Sequence, residues 1–303
     1  MVNKKPNYFI KPRELLAVAL TDKAQQFKLT FSEGDYTLEI IFESLVSIEP
    51  EIILAINLDG YIPKTKKAEI IISNDKGEKM GFLKMTLVNT LTLESNKLCL
   101  YRVSSAYSNL LPFYSIIPDI LAFAFKKKFA FRFKEIVRLR KLFVYYLKPK
   151  PSFFLSTKSK DNFDIFPIDL TGKIAGDYFS IAIKNTNKAI ELIKASQKLC
   201  LSALPFNKTD VVYAHSKQRK KGTMNATTLQ FNISESKTLK IPVPNFALNV
   251  NELQLEQFFE QGAYTVFIVK SINHYILSDG LQMAHTPWYN KHFLSGTQSS
   301  AIH

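Results

Sequence analysis

A mainly β fold with a small helical content is what this chain of 303 residues predicts. Three observations carry that prediction. Short runs rich in Val, Ile, Phe and Tyr recur along the chain, each bounded by turn residues. The 24 Phe and 13 Tyr suit the half-buried faces of sheets. The clearest run with apolar residues at helical spacing is short, KAIELIKAS at 188–196. With 46% apolar and 22% charged residues the chain is composed like a folded protein, and its length suits two domains.

In the first half, residues 27–31, 36–42, 51–56 and 69–73 read as strands, separated by turns at Glu33-Gly34-Asp35 and Asp59-Gly60. The cluster Ser73-Asn74-Asp75-Lys76-Gly77, between AEIII and KMGFLKMTLV, predicts a hairpin with a short loop. No histidine precedes His215 and no glycine-rich phosphate loop occurs. Residues 1–108 therefore read as a β-rich domain with a packing or partner role.

The formal net charge of +14 favours anionic partners: nucleic acid, an acidic membrane face or phosphorylated small molecules. Much of it lies in residues 126–150, KKKFAFRFKEIVRLRKLFVYYLKPK, where Glu135 is the only acid. In one reading this run ends a connector, residues 109–140 and their continuation, whose Ile136, Val137, Leu139, Leu142 and Phe143 pack on a domain while the cations reach water. In a second it is a helix making peripheral contact with an anionic membrane, from Lys126 to Lys150. A nucleic-acid patch is the third reading and is disfavoured. The apolar run at 110–125 is interrupted by Pro112, Pro118 and Asp119 and falls short of the roughly 20 residues that a bilayer span needs.

Cys99 and Cys200 sit in apolar strand-like runs, which predicts buried reduced thiols, and no Cys/His spacing resembles a zinc site, so no metal is expected. The N-terminal residues lack the apolar core of a signal peptide, so a cytoplasmic location is expected.

In the second half, 151–157 (PSFFLST) reads as a strand, 159–162 (SKDN) as a turn, and 161–172 (DNFDIFPIDLTG) as the returning arm. Pro167 breaks that arm. Lacking an N–H, it belongs at an edge, a bulge or a ligand-facing position. Residues 178–183 form the next strand, and Lys184-Asn185-Thr186-Asn187 leads into the helical run with Asn187 placed to cap it. The N–H groups there, with Lys184 and the Thr186 hydroxyl, would make a phosphate cradle, although any capped helix shares that look. Residues 198–204 read as a buried strand, and 214–222 (AHSKQRKKG) as a loop that either binds a pyrophosphate or is merely solvated. Residues 240–244, 246–250, 253–260 and 264–272 complete the sheet around a turn at Gly262.

Taken in order, FFLST, NFDIFPIDLTG, KNTNKAIELI, LCLSALP, PNFALNVNELQLEQFFEQGAYTVFIVKSI and HTPWYNKHF resemble flavin-reductase-like proteins of the FMN-binding split-barrel superfamily, over about residues 141–292. The resemblance implies a Greek-key split β-barrel domain at 141–293, a flexible tail at 294–303, and a homodimer with FMN, or FAD, in a groove near the subunit interface. The isoalloxazine would rest on the strand backbone of Ile165, Phe166, Pro167, Asp169, Leu170, Thr171 and Gly172. Lys184, Asn185, Thr186 and Asn187 would hold the phosphate. His215, Ser216, Lys217 and Arg219 would hold that phosphate or a nicotinamide dinucleotide, and Trp288, with Tyr289, would pack on the rings. The implied activity is hydride transfer from NADH or NADPH to flavin N5. It asks the protein for orientation rather than a catalytic acid or base, and no catalytic residue is assigned. Two departures stand out. Gly262-Ala263-Tyr264 replaces the Gly-Asp-His common in such reductases, and Ile174-Ala175-Gly176-Asp177 replaces a Ser-x-Pro-Pro segment. Both bear on nicotinamide use and keep open a non-catalytic flavin carrier or assembly module.

Overall fold

The computed structural model describes residues 15–21, 27–41, 43–93, 96–109, 137–138, 140–160, 162–219, 229–287 and 299–300. The first strand is β1 (Leu15–Leu20). A seven-stranded antiparallel sheet follows, built from β2 (Lys28–Glu33), β3 (Tyr36–Glu39), β4 (Glu43–Ser47), β5 (Ile53–Asn57), β6 (Lys67–Ser73), β7 (Lys79–Leu93) and β8 (Asn96–Ser108). Its spatial order is β3-β2-β6-β7-β8-β5-β4. β2 and β6 alternate buried and partly buried residues, as a sheet with one more accessible face requires, whereas β5 is buried throughout.

The second half adds β9 (Lys150–Pro151), β10 (Phe153–Ser159), β11 (Asn162–Ile168), β12 (Thr171–Ala175), β13 (Tyr178–Lys184), helix α1 (Ala189–Ser196) and β14 (Lys198–Ala203). Then come helix α2 (Thr209–Arg219), β15 (Ile233–Glu235), β16 (Pro242–Pro244), β17 (Asn249–Gln261), β18 (Tyr264–Ile276), β19 (Gln282–Pro287) and β20 (Ser299–Ser300). A second seven-stranded sheet runs β11-β10-β14-β17-β18-β13-β12, and a small one runs β20-β1-β19-β9. β1 thus pairs with β19, Leu15 opposite Pro287 through Leu20 opposite Gln282, so residues 15–20 sit with the C-terminal strands.

Both large sheets are rolled. β3 and β4 lie at opposite edges, yet residues 40–42 join them and can span at most ~14 Å. In a flat sheet those edges would stand roughly 29 Å apart, at about 4.8 Å per strand. β11 and β12 are likewise opposite edges, joined only by Asp169 and Leu170. Each sheet therefore closes to a barrel left open between its edge strands, and the 162–172 stretch crosses the opening of the second. One hydrophobic core runs through both barrels, from Phe31, Leu54 and Tyr101 to Leu155, Ile181 and Phe267.

Most strands fall where the sequence places them, and the Ser73–Gly77 turn closes β6 onto β7. The loop read at 214–222 is instead mostly helix, since α2 runs to Arg219. Residues 141–145 are helical, Leu142 and Phe143 pack against the core, and Val144 to Leu147 are buried. Lys141 donates to the Val103 carbonyl at 2.9 Å and Arg138 pairs with Glu49 at 3.5 Å. Val137, expected to pack, is instead 38% exposed. Residues 110–136 and 139, with the apolar run and the first part of the basic run, lie outside the described residues, as do Trp288, Tyr289, Lys220 and Lys221. Among the described residues no helix is long and apolar enough to cross a membrane. Both cysteines are free and buried.

Glu252 on β17 gives the fold a measurable acid limit. Its carboxylate accepts hydrogen bonds from the Leu239 N–H (2.7 Å), the Thr238 N–H (2.8 Å) and Asn273 Nδ2 (2.6 Å). Burial pushes its pKa up, but these donors and Ser236 outweigh burial and hold it at about 2. A folded pKa below the unfolded 4.5 means that its contribution is complete above pH 4.5 and is lost as the pH falls toward 2. Urea midpoints should fall across that window, and Glu252→Gln should lower the neutral-pH midpoint while flattening the acid limb.

Candidate functional site

Where β11 leaves its sheet, the chain borders a cleft of about 190 Å³, lined by Ser152, Pro167, Ile168, Asp169, Val212, Tyr213, Ser216, Met283 and His285. β11 is an edge strand: β10 pairs with it along one side, Phe153 opposite Ile168 to Ser159 opposite Asn162, and among the described residues no strand pairs with the other. Helix α2 covers part of that other side and turns Val212, Tyr213 and Ser216 toward the cleft. β19 forms the opposite wall. Apolar packing of Phe154, Ile165, Val212 and Met283 supports the floor.

A chain of hydrogen bonds crosses the cleft wall. Asp169 Oδ2 accepts from the Tyr146 hydroxyl at 2.9 Å and lies 3.3 Å from His285 Nδ1. His285 Nε2 lies 3.0 Å from the Tyr213 hydroxyl, and Ser152 Oγ stands 3.2 Å from Nδ1. Burial pushes the Asp169 carboxyl up, but His285 and Tyr146 together hold it below the usual carboxylate range. Burial, and then the Asp169 charge, raises Tyr146 well above the usual phenol value, and burial raises Tyr213. Both phenols are neutral at pH 7. With Asp169 ionised, the network assigns the His285 proton to Nδ1 and leaves Nε2 to accept from Tyr213. The arrangement fixes a phenol at the cleft. Asp169 comes from the β11–β12 joint, Tyr213 from α2 and His285 from β19. Nothing in the sequence draws Tyr213 or His285 together with Asp169, because only the fold makes them neighbours.

Of the residues singled out from sequence, Pro167, Asp169 and Ser216 reach the cleft. Ile165 and Phe166 are buried in β11, and Leu170 and Thr171 are buried beyond it. Gly172 meets the first barrel: a Cβ there would lie 2.6 Å from the Glu43 carbonyl oxygen and 3.0 Å from Ser44 Cβ. Two candidates need correction. His215 is fully buried between Phe154 and Phe231 and hydrogen-bonds the Ile165 carbonyl through Nε2 at 2.9 Å. It is a core histidine because α2, unlike a loop, turns it inward one helical step from Val212. Arg219 is committed within the protein. Its guanidinium binds Asp164 at 2.5 and 3.2 Å and Asn187 Oδ1 at 2.8 Å, and it lies 4.3 Å over the Phe166 ring.

Residues 184–187 sit elsewhere, beside the β17–β18 turn. Lys184 pairs with Glu49 at 3.2 Å. Asn185 accepts from the Thr265 hydroxyl at 3.0 Å, and Asn187 Oδ1 accepts from the Ala189 N–H at 3.0 Å, the capping role read from sequence. Thr186 and Lys217 are exposed. The structure does not bring this loop into the lining of the cleft.

No family model and no curated protein matches the chain. Among solved structures, about half of the chain is similar to flavin reductases and FMN-binding proteins of the split-barrel type. One is an FMN-binding protein from Thermus thermophilus, 15% identical, covering 48% of this chain and 89% of its own, with a TM-score of 0.39. Another is nitrilotriacetate monooxygenase component B from Mycobacterium thermoresistibile, 12% identical, covering 56% and 89%, with a TM-score of 0.43. A third is the flavin reductase component of a bacterial two-component tryptophan halogenase, 8% identical, covering 53% and 95%, with a TM-score of 0.44.

Proposed function

We propose that this chain is a cytoplasmic flavin-binding protein of the flavin-reductase type, holding the ring of FMN, or of FAD, at the cleft beside Pro167, Ile168 and Asp169. One observation carries the reading: the stretch that resembles the flavin-contact strand crosses the open side of the second barrel and borders the cleft there. Clefts that enclose a whole drug-sized ligand run about 300–1,000 Å³. At about 190 Å³ this one takes a ring portion, with the rest of the ligand outside it. Pro167 and Ile168 offer an apolar surface to a ring face. Ser216 and the neutral Tyr213 hydroxyl are placed to meet ring heteroatoms, with Tyr213 held in orientation by His285 and Asp169. Bound there, a flavin would supply hydride chemistry, with NADH or NADPH as reductant. Thr186 and Lys217 are the exposed polar candidates for the outlying phosphate.

Titration of FMN and FAD, read by flavin fluorescence, tests this. Saturation at one flavin per chain is expected, with affinity lowered at least about tenfold, or ~1.4 kcal/mol, by Ser216→Trp at unchanged circular dichroism. A chain that binds neither flavin overturns the reading.

One observation favours a carrier without reductase activity. The Gly262-Ala263-Tyr264 turn, which stands where nicotinamide-using relatives carry Gly-Asp-His, packs against the first barrel: the Ala263 N–H donates to the Glu49 carbonyl at 2.9 Å and Tyr264 is buried. Stopped-flow mixing of the flavin-loaded protein with NADH and NADPH separates the two readings, since a carrier shows no bleaching of the flavin band.

A further inference from the structure

The two barrels are the same structure written twice. β2 to β8 and β10 to β14 with β17 and β18 have one spatial order when matched in sequence: second, first, fifth, sixth, seventh, fourth, third. The match extends to register. In β7–β8 the ladder runs Lys84 opposite Ser105, Met85 opposite Val103, Leu87 opposite Tyr101, Asn89 opposite Leu100, and ends at Leu93 opposite Asn96. In β17–β18 it runs Glu252 opposite Asn273, Leu253 opposite Ser271, Leu255 opposite Val269, Gln257 opposite Ile268, and ends at Gln261 opposite Tyr264. Each hairpin first skips a residue on its second strand, Ser104 or Ile272. Each then skips one on its first strand, Val88 or Glu256. A third bulge recurs between Leu45 and Ser47 of β4 and between Lys173 and Ala175 of β12.

Hydrogen bonds outside the ladders match as well. Val103 N–H to the Ile52 carbonyl (2.9 Å) corresponds to Ser271 N–H to the Asp177 carbonyl (2.8 Å). Leu87 N–H to the Lys66 carbonyl (2.7 Å) corresponds to Leu255 N–H to the Gln197 carbonyl (2.8 Å). Bulges re-aim strands at particular places and are specific features of a structure. Three of them, with two loop bonds, at matched positions are more than a shared fold class requires.

The copies also pack as a symmetric pair does, where residue i meets j and j meets i. β4 packs on its own match, β12, and the contacts of β4 with β13 and of β12 with β5 are reciprocal. Ser44 and Gly172 occupy matched positions and meet each other, as residues on a two-fold axis must. The pair is unequal around the cleft. Between β14 and β17 the second copy inserts residues 204–248, which include α2 and one wall of the cleft, whereas the first copy has only residues 74–78 between β6 and β7. The positions matching Pro167, Ile168 and Asp169 are Glu39, Ile40 and Ile41, with no carboxylate for Asp169. The first copy instead sends Glu43 into a buried pair with Lys150, which lies opposite His285 in the β9–β19 ladder.

We infer that residues 28–108 are a second copy of the fold at 153–276, built without the inserted residues 204–248, and that this copy serves as a built-in partner subunit. The chain is a covalently linked pair, and no second chain occupies the β4–β12 face. The homodimer that the resemblance implies is replaced by pairing within one chain. The inference does not rest on flavin binding.

Two measurements on the unmodified full-length protein test it. Sedimentation equilibrium over a wide concentration range should give one species of 34.6 kDa, and a concentration-independent dimer would overturn the inference. Zero-length carbodiimide cross-linking should join Lys184 to Glu49, which span the two copies at 3.2 Å. In an equimolar mixture of ¹⁴N- and ¹⁵N-labelled protein, equilibrated before cross-linking, that peptide pair should carry a single isotope. Mixed-isotope pairs, or absence of the Lys184–Glu49 link, would show that the copies do not pair within one chain.

Discussion

Gly172→Val should lower the unfolding free energy by about 3 kcal/mol, the upper end of what overpacking a core costs. The position has no unusual backbone angle, so the requirement is one of space. A Cβ would sit 2.6 Å from the Glu43 carbonyl oxygen and 3.0 Å from Ser44 Cβ, and both strands are fixed in their own ladders, Gly172 opposite Ser180 and Ser44 opposite Ala55. A backbone carbonyl held in a sheet cannot swing aside as a long side chain can, so the strain has to move one barrel against the other. Gly176→Ala is the control. It stands in the β12–β13 turn with a positive φ of 39° and nothing within 4 Å of an added Cβ, so it bears only the left-handed penalty of about 1 kcal/mol. Urea midpoints and slopes of the two variants measure the difference. Equal, small losses would mean that the barrels do not approach each other at this glycine.

How much of this was legible in the sequence depends on the range of the physics involved. The β-rich runs at β2 and β6, the turn chemistry at Ser73–Gly77, the cap at Asn187 and the edge position of Pro167 are local, and each reads correctly, although β11 continues through Pro167 to Ile168. Helix α2 is not local in that sense. Residues 209–219 are polar, with apolar side chains only at Val211, Val212, Tyr213 and Ala214, so no stripe announces a helix. Its inward face is set by His215 and Val212 meeting Phe154 of β10 and Phe231. The doubling of the barrel is hidden for a related reason. A strand position demands burial and size rather than identity, so Cys99 matches Phe267, Tyr101 matches Val269, and Ala55 matches Ser180 with the register intact. Connections of different length between matched strands then shift the spacing and erase any fixed period. At the candidate site, Asp169 was visible as part of a strand. Its link to His285 and Tyr213 joins three elements far apart in the chain, and no spacing rule could supply it.

The largest loss is expected for Glu43→Ala, about 3–5 kcal/mol, the usual cost of removing one partner from a buried ion pair. The side chains of Glu43 and Lys150 are 6% and 9% exposed and bonded to each other. The Tyr145 hydroxyl donates to the same carboxylate at 2.5 Å, while the Lys150 ammonium also lies 4.0 Å from the Tyr145 ring centre. Without the carboxylate, a desolvated ammonium and a phenol are left without their acceptor. Burial pushes the Glu43 carboxyl up, but Lys150, Lys148 and the Tyr145 hydroxyl outweigh it and hold its pKa below the usual value. The stabilisation is therefore complete above the unfolded pKa of 4.5 and is lost as the pH falls through the lower folded value. Glu43→Ala should accordingly remove part of the acid dependence along with the stability. Double replacement separates the charge from the packing. Glu43→Leu with Lys150→Met removes both ions and fills their space, so it should recover most of the stability lost in Glu43→Leu alone, and a thermodynamic cycle gives the coupling. If the double variant is as unstable as the single one, packing rather than the buried pair governs this junction. Because Lys150 lies opposite His285 in the ladder, one reaction of the cycle also reports on the cleft. Should flavin binding survive in the double variant and fail in Glu43→Leu, the lysine itself is dispensable and the first barrel acts on the site by neutralising its buried charge, the role expected of a partner subunit built into the same chain.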